Sequence, residues 1–123
     1  MILINLKIDM NYIIHTPSVA RLKKEILDSV EAKADANGKG IVTWQVAETD
    51  GSEKVLVHTI DQWAEKGGIV LDQVSGRNEI QVRFCYWESC ENKNNDDDKI
   101  MLGRFTELIL IHFSYFVDKI VIE

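Results

Sequence analysis

Cysteine is scarce in this chain of 123 residues: Cys85 and Cys90 are the only two. Two cysteines make no disulfide framework, and nothing in the sequence marks a secretory setting that would oxidise them. A reducing cytoplasm is the expected location. Their C-x4-C spacing is tolerable for zinc, but no second Cys or His pair follows at ligand spacing, and His15, His58 and His112 stand singly on three predicted elements. The run "ENKNNDDDK" lacks the alternating oxygen ligands, central glycine and closing glutamate of a calcium loop. No metal or cofactor is expected. Basic residues are also in deficit. Fourteen Lys and Arg against twenty Asp and Glu leave a net charge of −6, which argues against nucleic acid as a partner, because phosphate binding needs clustered cations. No stretch approaches the roughly 20 apolar residues that cross a bilayer, so no membrane association is expected. The opening "MILINLKID" is broken by Lys7 and Asp9 and lacks the flanks of a signal peptide. Nucleophile elbow, phosphate loop and zincin motifs are absent as well.

What the chain does hold is a core. A hydrophobic fraction of 46% beside 28% charged residues suits one compact domain over residues 1–123. Ile2, Ile4, Leu6 and Ile8 alternate with Leu3, Asn5 and Lys7 as a strand does. Tyr12 to His15 either continues that strand or pairs with it, and Met10 offers an internal start that would make residues 1–9 a dispensable extension. Thr16-Pro17 reads as a helix start. Val19, Leu22, Ile26, Val30 and Ala34 then form one apolar face, closed at Asn37-Gly38. Val42, Trp44 and Val46 share one side of a strand that opens a hairpin turning at Asp50-Gly51. Thr59 and Gln62 have capping-box spacing for a short helix ended by Gly67-Gly68. Two further strands flank "SGRN", a second long helix spans 98–117, and "KIVIE" closes as a strand. The predicted class is α+β: a mostly antiparallel sheet of about five to six strands packed with two long helices, in the order β-α-β-β-(short α)-β-β-α-β.

The second long helix is apolar on most of its circumference. Met101, Phe105, Leu108, His112 and Phe116 cluster on one face, while Leu102, Leu110 and Phe113 lie outside it. Such a helix is buried on several sides or meets another subunit, which makes a homodimer through 98–117 one expectation. His112, at the centre of the apolar face, reads as a core imidazole with one satisfied hydrogen bond. For catalysis, the best constellation is His58 and Asp61 at a strand-to-helix turn with Arg104 and Glu107, three apart on the helix. Nothing orders these four into acid, base and nucleophile. The plainer reading is a polar network that docks the helix, and no catalytic residue is assigned.

Charge gathers in one place. From Glu88 to Asp98 five acidic residues meet a single Lys, so most of the net negative charge lies in eleven positions beside Trp87. One reading is a solvated connection whose Asp96, Asp97 and Asp98 favour a helix N-terminus. The other is an acidic docking surface for a basic partner, formed by Trp87, Glu88, Glu91, Asp96, Asp97 and Asp98, with Trp87 as anchor. The segments "TWQV", "VLVHTIDQWAEKGG", "CYWESC" and "GRFTELILIHF", in this order across residues 10–123, resemble small acidic immunity proteins of contact-dependent inhibition and other polymorphic toxin systems. That resemblance implies a cytoplasmic protein that binds a toxin domain and blocks it. It implies no chemistry and carries no binding residue over by position.

Overall fold

A computed structural model describes residues 2–4 and 11–123. Its first strands are β1 (Leu3–Ile4) and β2 (Tyr12–His15). The alternating residues between them, and with them the proposed start at Met10 and most of the proposed extension, lie outside the described residues. Both strands run antiparallel to the long strand Glu79–Trp87, with Leu3 opposite Trp87 and Tyr12 opposite Val82. Tyr86 of that strand faces Gly67 on its other side, so β1 and β2 lie in succession along one edge.

Helix α1 (Val19–Ala32) buries Leu22, Ile26 and Val30, the predicted stripe. Both of its ends differ from the predicted ones. Thr16 does not cap it: the buried hydroxyl donates to the Phe116 carbonyl at 2.6 Å, and Ser18 holds the N-cap position. The C-terminus falls at Ala32, where Lys33 takes the left-handed conformation at φ 64°. Asn37-Gly38 belongs to the next turn. There the Asp35 side chain accepts the N–H groups of Asn37 and Lys39, both at 2.9 Å, offering the backbone an alternative to helix.

The hairpin of β3 (Trp44–Glu48) and β4 (Lys54–His58) turns as predicted, but its left-handed residue is Ser52, not Asp50 or Gly51. Helix α2 (Asp61–Ala64) is a single turn with Ile60 at its N-cap, so the Thr59–Gln62 box is not formed. Gly67 and Gly68 do not close this helix but open β5 (Gly67–Gln73). A Cβ at Gly67 would lie 2.0 Å from the Cys85 carbonyl oxygen. Glycine is required here by close approach of the adjacent strand backbone.

β6 (Glu79–Trp87), α3 (Asp97–His112), a 3-10 turn (Ser114–Phe116) and β7 (Lys119–Ile122) complete the chain. The second long helix is thus shorter than 98–117 at its C-terminal end. The strands form one antiparallel sheet in the order β3-β4-β5-β6-β2-β7, with β1 paired to β6. The α+β class holds, with seven strands among the described residues. Leu22, Ile26 and Val30 of α1 and Met101, Phe105 and Ile109 of α3 meet Tyr12, Ile14, Trp44, Leu56, Ile69 and Ile80 of the sheet in one apolar cluster. A smaller cluster of Val55, Val57, Val70, Cys85 and Trp87 uses the alternate residues of the same strands, hence the other face.

Candidate functional site

The acidic segment leaves the sheet at the end of β6 and enters α3 at Asp97. Both junctions are tied to one buried cluster. Lys66, in the short link between α2 and β5, places its Nζ 3.0 and 3.1 Å from the two Asp97 carboxylate oxygens and 2.7 Å from the Asn92 carbonyl. The Tyr86 hydroxyl donates to Asp97 Oδ2 at 2.7 Å, and the Asn94 N–H reaches the same oxygen at 2.8 Å. Burial alone would raise the Asp97 pKa. The Asn94 N–H, the Tyr86 hydroxyl and the Lys66 ammonium outweigh it and hold the carboxyl below its ordinary value. Burial and the hydrogen bond to Asp97 push the Tyr86 phenol well up. Trp87 closes the other side, its indole N–H donating to the Ala64 carbonyl at 2.8 Å.

This arrangement corrects two of the six residues assigned to a docking surface. Asp97 is 1% exposed and Trp87 3%. Both face inward because each has a protein partner that burial would otherwise leave unsatisfied, and Trp87 packs with Cys85, Val57 and Val70. Glu88, Glu91 and Asp96 are exposed and Asp98 is half-buried. With Lys93 between them, the outward face of the loop is less negative than the sequence count, because Asp97 is neutralised by Lys66. Two recesses flank the loop. One, of about 300 Å³, is lined by Glu65, Lys66, Cys90, Glu91 and Asn92 among others. The second, of about 360 Å³, is bordered by Ile2, Asp50, Glu88 and Ser89.

The predicted polar constellation assembles in part. His58, Arg104 and Glu107 line a recess of about 170 Å³ between the base of the β3–β4 hairpin and α3, joined by His112 but not by Asp61. Arg104 and Glu107 pair at 3.8 Å on the surface. The His58 ring packs edge-on to Trp44, and its Nδ1 accepts the Ile60 N–H at 3.2 Å. That bond places the neutral ring's proton on Nε2, so His58 is a donor toward the recess and no metal ligand. Burial, and secondarily the Arg104 charge, lowers its pKa. His112 is buried, as its place on the apolar face implied, and its Nδ1 lies 2.7 Å from Asp35 Oδ2. The His112 hydrogen bond, assisted by the Lys39 and Asn37 N–H groups, holds the Asp35 carboxyl below its ordinary value.

Sequence reasoning missed Lys66, Tyr86 and Asp35. A helix–Lys–Gly–Gly junction carries no pattern that points to an aspartate 31 residues on. The turn at Asp35 is signalled by its Asx-type sequence, but its partner His112 is not. Among the described residues no three of His, Cys, Asp and Glu form a group that could hold a metal ion, and no helix is long and apolar enough to cross a membrane. Comparison with protein-family models, with curated proteins and with solved structures finds no match to this chain.

Proposed function

We propose that this chain is a protein-binding module of the immunity type, which uses the acidic loop after β6 to dock on a basic toxin domain and block it in the cytoplasm. The observation that supports the reading most is the lock beneath the loop. A mere connection between β6 and α3 has no need of a buried ion pair with a tyrosine and two loop backbone groups on it. A binding surface gains from one, since a loop ordered beforehand loses less freedom on association. Glu88, Glu91, Asp96 and Asp98 are displayed from that base, and Glu88 and Glu91 each border a recess at which a partner's Lys or Arg can pair with them.

The test is association with a toxin domain encoded beside this chain, measured by stopped flow over a salt series. The variant carrying Glu88→Gln, Glu91→Gln, Asp96→Asn and Asp98→Asn is expected to associate at least tenfold more slowly at low salt, with the difference shrinking as the Debye length falls below about 10 Å. An unchanged rate at low salt would reduce the loop to a connection.

A further inference from the structure

We propose that the recess between the β3–β4 hairpin and α3 is a binding site for a small oxyanion that carries a proton of its own, of the hydrogen phosphate or bicarbonate kind. Two buried imidazoles of opposite character line it. His58, 5% exposed, offers an Nε2–H, because its Nδ1 is occupied as an acceptor by the Ile60 N–H. His112 is held the other way round. The Asp35 carboxyl is held below its ordinary value and accepts, so His112 Nδ1 carries the proton between them and Nε2 is left as the ring's other polar atom, an acceptor whenever the ring carries a single proton. Neither Nε2 has a protein partner among the described residues.

Arg104 adds charge at the rim. Its link to Glu107 is long and both side chains are more than half exposed, so its donors remain available to a ligand. A negative oxygen satisfies His58 and Arg104 together, and an O–H on the same ligand satisfies His112. Size narrows the choice further. A recess of about 170 Å³ falls below the roughly 300 Å³ at which drug-sized ligand pockets begin, which leaves room for a small ion. A cation is disfavoured by Arg104. A fully deprotonated anion such as acetate leaves the His112 acceptor unserved and gains less.

The imidazole nitrogens report the site directly. Long-range proton–nitrogen spectra of the full chain, at constant ionic strength, should show saturable shifts of the His58 and His112 Nε2 resonances with inorganic phosphate at slightly alkaline pH, where an ordinary imidazole carries a single proton. His15, on β2, serves as the unmoved control, and acetate should bind more weakly. Phenyl phosphate distinguishes a free anion from the end of a larger ester: weaker binding than inorganic phosphate indicates the first, tighter binding the second. Arg104→Gln changes an exposed side chain and should keep the fold while weakening phosphate by about tenfold, the scale of one charge-assisted hydrogen bond. Glu107→Gln should strengthen it. Shifts no larger than those from sodium chloride, or phosphate affinity unaltered by Arg104→Gln, would overturn the proposal.

Discussion

Asp97 shows how much one carboxylate's surroundings decide. Its neighbours Asp96 and Asp98 carry the same side chain, yet only Asp97 points into the fold, onto Lys66 and Tyr86. Asp97→Asn keeps the shape and removes the charge, leaving a buried ammonium without its counter-ion. Loss of one partner from a buried pair costs about 3–5 kcal/mol, so the denaturation midpoint should fall steeply. Asp96→Asn should stay within about 0.5 kcal/mol. Replacing the pair together, as Lys66→Met with Asp97→Leu, should cost less than the two single changes summed, because no charge is then stranded. A double variant as unstable as that sum would show that Lys66 and Asp97 act independently.

At the scale of elements, α3 divides its apolar residues between two environments. Leu108 is 4% exposed and Leu110 58%. Leu108→Ala should cost about 2–5 kcal/mol and Leu110→Ala less than about 0.5 kcal/mol in chemical denaturation. Equal effects would mean that Leu110 is covered by another copy in solution, the homodimer expected from the apolar girth of this helix. The helices and strands themselves were legible because their periodicity is local: Leu22, Ile26 and Val30 announce α1, and Ile80 and Val82 announce the buried face of β6. Their ends were not. Lys33 takes a conformation usually left to glycine, and Gly67 is needed for a strand contact rather than a helix stop; both depend on residues distant in sequence. The candidate sites divide the same way. The charge of the loop is visible in the letters, whereas which aspartate is buried depends on Lys66, and the pairing of His112 depends on a turn 77 residues away.

For the molecule as a whole, the shifted groups that titrate between neutral and acid pH lean in one direction. His58, Asp35 and Asp97 all have folded pKa values below their ordinary ones. A group depressed in the folded state binds its proton more readily when unfolded, so stability is lost as pH falls. The His58 contribution should be complete above about pH 6.5 and decline below it; the carboxylate contributions should hold to about pH 4 and then fall. Urea midpoints measured from neutral to acid pH should therefore drop in two stages. His58→Gln, which does not titrate, should abolish the first stage and leave the second. A midpoint that rose between pH 7 and 5 would contradict the direction of the His58 shift.

The placing of β2 between β6 and β7 also governs when this fold can form. Tyr12 pairs with Ile122 and His15 with Lys119, so β2 waits during synthesis for a strand made about a hundred residues later. Closing a loop of more than a hundred residues adds entropy that the local hairpin of β3 and β4 does not face. Most of the sheet can assemble before that clasp engages. If it does, the clasp is a late event, and Val121→Ala should speed unfolding while leaving the refolding rate nearly unchanged. Until residues 119–122 arrive, the outer edge of β2 is a bare strand open to pairing with another nascent chain. The interval between the two strands is thus the period in which the protein is most exposed to misassembly.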